Sequence, residues 1–178
     1  MLFPGGRLPL RIFEQRYMDM AKDCLKREAS FGVCLILEGR EVGEPAVPAA
    51  IGTLATIAQW DMPQLGMLNI IALGGQRFRV LERRVQPDGL VRARVDLFPH
   101  DSDFPVTEDF NMAVQLIERV IEQQPGLLPS PHRLDSCAWV SGRLAELLPL
   151  PLGMKQELLE LGDARERLSR LAALLKPG

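Results

Sequence analysis

The apolar positions of this chain change period at Phe13. Before it, Leu8, Leu10 and Ile12 alternate with Pro9 and Arg11, the two-residue repeat of a short strand. Pro9 has no N–H to give a ladder, so this strand should lie at a sheet edge or begin there. After it, Tyr17, Met20, Ala21, Cys24 and Leu25 recur at i, i+3, i+4, i+7 and i+8, one stripe of an amphipathic helix. Gln15, Asp19, Lys22 and Lys26 take the opposite face. Glu14 in the first turn and Lys26-Arg27 in the last suit the helix dipole. The pattern predicts Tyr17 packed on the sheet and Phe13 securing the strand-to-helix corner.

Strand patterns follow. Phe31 to Leu37 is a compact apolar run between Ser30 and Gly39, read as a buried strand. Residues 38–50, with two Gly, two Pro and three Glu, read as a surface loop. Ile51 to Trp60 is moderately apolar on both faces and predicts a central strand. Asp61 to Gly66 reads as a loop separating it from the strand Met67–Leu73. Gly74-Gly75 then predicts a second hairpin turn, because both residues permit positive φ. In Gln76 to Val85 the alternation slips at Leu81, which predicts a bulge. Pro87-Asp88-Gly89 is a further turn. Beyond it Val91, Ala93, Val95 and Leu97 should point inward, and Arg92, Arg94 and Asp96 outward. Strands that arrive as successive hairpins predict a largely antiparallel sheet curled into a small barrel.

From Pro99 to Thr107 the composition turns polar and the chain passes to helices. Thr107 is a fitting N-cap for the stripe Phe110, Ala113, Val114, Ile117, Val120 and Ile121. Asp135 is expected to cap a helix carrying Ala138, Trp139, Leu144, Leu147 and Leu148. Two shorter helices, 152–161 and 163–175, complete a four-helix bundle, the last capped by Asp163. The expected fold class is α+β, with a strand-rich part at 1–100 and a helical bundle at 105–178.

The order LFPGG, LPLRIFEQRY, IGTLATI, GGQRFRVLE resembles the N-terminal substrate-binding domain of the Lon protease family, most clearly between Leu2 and Leu97. The resemblance implies a PUA-like, mostly antiparallel β-barrel with a packed helix, then the C-terminal helices. Members of that family usually carry a further apolar strand before the LFPG segment, and this sequence starts at Met1-Leu2-Phe3, so the expectation is that the first strand is lost or that the true start lies upstream. Full Lon enzymes join this domain to an ATPase module and a Ser–Lys protease module. No motif of either is found in these 178 residues. The resemblance therefore implies a non-enzymatic binding module for protein substrates, with a separate ATP-dependent protease as a further candidate partner.

Composition changes this picture little. Apolar content of 47%, charge of 25% and a net charge of −2 are ordinary for a globular protein and give no general pull toward nucleic acid. Cys24, Cys34 and Cys137 are an odd number without a CxxC pair and read as buried free thiols. No segment approaches the ~18 consecutive apolar residues of a membrane span, and no signal peptide is evident. A cytoplasmic protein without a membrane partner is expected. His100 and His132 fall in loops without neighbours at metal-ligand spacing, so neither a metal nor a cofactor is expected.

Two sets of candidate residues remain. Trp60, Met62 and Leu65 lie within six residues beside Pro63 and could anchor an apolar peptide, unless Trp60 closes the barrel's end. The family resemblance adds the exposed face of the first helix, here Gln15, Arg16 and Asp19. The second set, Arg77, Arg79, Arg92 and Arg94, is expected on one strand face. With the RNA-binding habit of PUA-like folds, it suggests an alternative as an RNA-binding module. Interspersed Glu82, Asp88 and Asp96, and the absence of an aromatic ladder, weigh against that alternative.

Overall fold

A computed structural model describes residues 1–40, 43 and 46–175, so part of the expected 38–50 loop lies outside the described residues. Contacts divide the chain into two units. One holds Met1–Leu2 and Arg7–Pro99, the other Phe3–Gly6 and the chain from His100 onward.

The first unit contains β1 (Arg7–Ile12), α1 (Gln15–Arg27), β2 (Phe31–Glu38), β3 (Val47–Gln64), β4 (Met67–Val85) and β5 (Val91–Leu97). All pairings are antiparallel, in the order β1-β4-β3-β2, with β5 also on β4. The sheet does not close into the expected barrel. β1 pairs with residues 68–73 of β4 and β5 with residues 78–85, so both share one edge of the same long strand. Among the described residues β2 pairs only with β3. No strand joins the two ends.

Irregularities in the long strands replace two of the expected turns. Gly74-Gly75 is not a hairpin but an interior stretch of β4. Between the pairs Thr53–Arg77 and Ala55–Gly74, two steps on β3 face three on β4, and the glycines accommodate the extra residue. The expected 61–66 loop is mostly strand: β3 continues to Gln64, and only Leu65-Gly66 turn, with Gly66 at φ 81°. The slip at Leu81 is a bulge, since Val80 faces Val95 and Glu82 faces Arg94.

The core of this unit gathers Ile12, Met18, Ala21, Ala55, Leu68 and Ile70. Helix α1 keeps its stripe toward the core, with Ala21 and Cys24 buried and Tyr17 and Met20 packed against it, but the buried face extends to Arg16 and Met18. Met18 is buried, Tyr17 only half-buried, and Phe13 is 55% exposed, so Phe13 does not secure the corner. Arg16 takes the inward position instead. It pairs with Glu14 at 2.8 Å, donates to the Gly89 carbonyl at 3.0 Å, and covers the Tyr17 ring at 4.8 Å. A charged side chain can occupy such a site because each of these contacts offsets its desolvation. Phe78, 2% exposed, fills a slot that two glycines leave open. A Cβ at Gly32 or Gly52 would come within 2.9 or 2.8 Å of its ring.

The second unit has a 3-10 turn (Glu108–Phe110), α2 (Asn111–Gln123), α3 (Cys137–Leu147), α4 (Leu152–Glu160) and α5 (Ala164–Leu175), with α3 packed on the other three helices. Asp135 does not cap α3. Ser136 does, its Oγ accepting from the Trp139 N–H at 3.0 Å while donating to Asp103 at 2.7 Å. Asp103 also accepts from the Ala138 N–H at 3.0 Å. Asp163 caps α5 as its position predicts, accepting from the N–H groups of Arg165 and Glu166.

Phe3–Gly6 is held by buried charge. Arg143 donates to the carbonyls of Pro4 and Gly5 and pairs with Glu146 at 3.1 Å; Glu146 accepts the Phe3 N–H at 2.9 Å. A Cβ at Gly6 would collide with the Glu146 carboxylate. Burial raises the Glu146 carboxyl above its usual range even beside Arg143. Arg167 pairs with Asp101 at 2.6 Å and donates to Ser141 and the Leu161 carbonyl.

Two stability measurements check this packing. Gly52→Ala should cost about 1–3 kcal/mol by overpacking against Phe78. Gly66→Asn, in open space, and Phe13→Ala should each stay within about 1 kcal/mol in chemical denaturation. Equal losses at Gly52 and Phe13 would contradict the orientation of α1. For Asp103, burial opposes the charge, but hydrogen bonds from Ala138, Ser136 and Phe104, with Arg133 nearby, outweigh it and hold its carboxyl below the usual range. A depressed pKa adds stability that is present above the unfolded value of about 3.9 and lost as pH falls through the folded one. The melting-temperature advantage of wild type over Asp103→Asn should be constant at neutral pH and shrink below about pH 4.

Candidate functional site

Beyond the core, β3 and β4 continue as a two-stranded ribbon that ends at Leu65-Gly66. Trp60, Met62 and Leu65 on this ribbon are 59%, 42% and 98% exposed. Trp60 does not close an end of the sheet. Trp60 and Met62 face solvent from β3 rather than from the loop that their sequence suggests, and Leu65 lies in the turn that leads to β4.

The base of the ribbon meets β1. Register aligns three rows across β1, β4 and β3: Pro9–Ile71–Gln59, Leu10–Ile70–Trp60 and Arg11–Asn69–Asp61. These nine residues line a groove of about 490 Å³. A shift between Ile57 and Gln59 brings Trp60 into register with Ile70. The groove is apolar at its centre, with Arg11 and Asp61 at one end separated by the neutral Asn69. Its lining includes no His, Cys, Ser or Thr, and Asp61 is its one carboxylate.

The other predicted residues do not join this groove, Arg11 being the one strand arginine that does. On α1, Gln15 and Asp19 are exposed and hydrogen-bonded to each other at 2.8 Å. Arg16 is 7% exposed and engaged with Glu14 and Gly89, so it cannot share a surface with them. The four strand arginines also separate. Arg77 is 4% exposed, its guanidinium 5.1 Å from the Phe98 ring; the exposed Arg79 lies at the same distance from that ring. Arg94 pairs with Glu82 at 2.6 Å, Arg92 donates to Gln86, and Arg79 faces Asp96 across the ladder. The bulge at Leu81 interleaves these charges, and the face is mixed in sign.

Of the cysteines, Cys24 and Cys137 are buried and Cys34 is half-buried, its thiol pushed up to about 11 by burial. Such thiols are poor nucleophiles at neutral pH. Among the described residues no three His, Cys, Asp or Glu gather as metal ligands, and no helix is long and apolar enough to cross a membrane. Sequence reasoning missed the β1 and β4 walls of the groove. Pro9, with its edge-strand signature, was the one available signal, because pairing across some sixty intervening residues leaves no local pattern.

The strand-rich unit is an open antiparallel sheet with a helix on it, and the second unit is helical. The profile described as "ATP-dependent protease La (LON) substrate-binding domain" matches residues 1–177, and the chain belongs to that family. A Lon N-terminal domain protein from Xanthomonas campestris is 39% identical, with a TM-score of 0.80, covering 99% of this chain and 94% of that one. Lon protease of Anaeromyxobacter dehalogenans is 29% identical over 185 residues, covering 98% of this chain but 22% of its own length. Cereblon of Gallus gallus is 33% identical over 102 residues, 56% of this chain and 22% of that protein. The chain thus spans about a fifth of the curated relatives it matches.

Proposed function

We propose that this protein is a non-enzymatic module that captures exposed apolar segments of unfolded or partner proteins in the cytoplasm. The observation that carries the proposal is the exposure of Trp60, Met62 and Leu65 within six residues, with Trp60 also lining the groove. Large apolar side chains on a rigid ribbon cost folding energy if they serve only solvent, and a preset surface loses less entropy on binding than a mobile loop. Membership in a substrate-binding family supports the reading. We assign binding to the strand-rich, PUA-like part at 1–100 and treat the helical bundle at 105–178 as a separate part. A separate ATP-dependent protease is the partner that would receive the bound chain.

Met62→Ser with Leu65→Ser should weaken binding of an unfolded-protein peptide by about 1–3 kcal/mol in fluorescence anisotropy, with the melting temperature nearly unchanged. Retained affinity with a much lower melting temperature would make the tip a structural plug instead. Purified protein should neither turn over ATP nor cleave casein. Tight RNA binding that falls steeply with salt and is lost on Arg79→Ala plus Arg92→Ala would replace this reading with the RNA-binding one.

A further inference from the structure

The geometry points to the Arg11–Asn69–Asp61 row as a charge-reading end of the groove, matched to an apolar segment that carries an acidic residue on one side and a basic residue on the other. This rests on the substrate-capture reading and specifies its ligand. Residues opposite one another in a ladder share a face of the sheet, as do residues two apart along a strand. Register therefore places Arg11, Asn69 and Asp61 on one face with Pro9, Ile71 and Gln59. Leu10 and Ile70 alternate with them and join Met18 and Ala21 of α1 in the core, so the row lies on the face turned away from α1. Ile71 is half-buried there between the exposed Pro9 and Gln59. It is an apolar floor that a guest side chain can cover.

The two charges of the row are open to a ligand. Arg11 and Asp61 are exposed, and among the described residues neither forms an ion pair. The neutral Asn69 stands between them, and the spacing of neighbouring strands sets their backbones roughly 10 Å apart. A guest with two acidic groups sets one against Asp61, and a guest with two basic groups sets one against Arg11. Only one of each sign satisfies both, because like charges facing one another are destabilising. In an extended guest, residues i, i+2 and i+4 share a face at roughly 7 Å intervals. An apolar residue at i+2 on Pro9 and Ile71 then leaves i and i+4 within side-chain reach of Arg11 and Asp61. The matching pattern is acidic–x–apolar–x–basic, read in either direction. Nine residues line the groove, far fewer than the roughly 20–30 a side of a stable protein interface, which suits a short segment better than a second copy of the chain.

The test uses the full chain and fluorescent peptides centred on Glu-Thr-Leu-Thr-Lys, on Glu-Thr-Leu-Thr-Glu and on Lys-Thr-Leu-Thr-Lys, at low salt, where exposed charges are weakly screened. Wild type should prefer the mixed peptide over each single-sign peptide by on the order of threefold. Asp61→Lys should shift the preference to the Glu–Glu peptide, and Arg11→Glu to the Lys–Lys peptide. A misfolded variant could not produce these opposite switches. A preference that survives either substitution would come from elsewhere on the chain and would overturn the proposal. If all three peptides bind wild type equally yet binding is lost in the Met62→Ser, Leu65→Ser variant, capture stands and charge reading fails. If no peptide binds, both fail. A wild-type dimer in sedimentation that each single reversal breaks, that Arg11→Glu with Asp61→Lys restores and that the mixed peptide does not displace would assign the face to a second copy and overturn the proposal.

Discussion

The pairing of β3 with β4 is the constraint on which the strand-rich unit depends. β4 is 19 residues long and carries β3 on one edge and both β1 and β5 on the other; β2 reaches the sheet only through β3. A ribbon this long cannot stay regular and still wrap a core, because strand twist accumulates along its length. The extra residue near Gly74-Gly75, the shift before Gln59 and the bulge at Leu81 are the places where the long strands can bend and change their local twist. They also set which side chains face outward, and so bring Trp60 beside Ile70 while breaking up the arginine face.

Much of the architecture was legible in the sequence because it is written in local periods. The edge position of β1 followed from Pro9, the central position of β3 from its two apolar faces, the bulge from the slip at Leu81, and the cap on α5 from Asp163. What failed has a common cause. Gly-Gly states that a backbone may turn without stating that it does, and here the pairing of Ala55 with Gly74 keeps the chain in the sheet. The burial of Arg16 was hidden for a related reason. Helical stripes rank residues by hydrophobicity, whereas Arg16 is held by its neighbour Glu14 and by the Gly89 carbonyl, which no window around it contains.

The candidate site was half legible. Trp60, Met62 and Leu65 stood out as large apolar residues among turn formers, and they are exposed. The placement of Trp60 and Met62 on a strand instead of a loop matters physically, since the strand holds those two side chains at fixed spacing, with Leu65 in the turn beyond them. The opposite wall of the groove comes from β1, and only its register on β4 brings Arg11 and Pro9 there. The same register gives the groove an apolar centre and a charged end, a combination that composition alone would not suggest.

The placement of Phe3–Gly6 has a consequence for the order in which the chain can fold. These residues are made before the groups that hold them, Arg143 and Glu146, which follow more than a hundred residues later. Until α3 exists, the Pro4 and Gly5 carbonyls lack their guanidinium; until Phe3–Gly6 arrives, Arg143 lacks carbonyls for its buried charge. Such pairs of distant segments pay the entropy of closing a long loop before any contact rewards it. The helical unit is therefore not a C-terminal fragment that could be cut free at residue 100. Its fold includes residues 3–6, from the far side of the strand-rich unit in sequence.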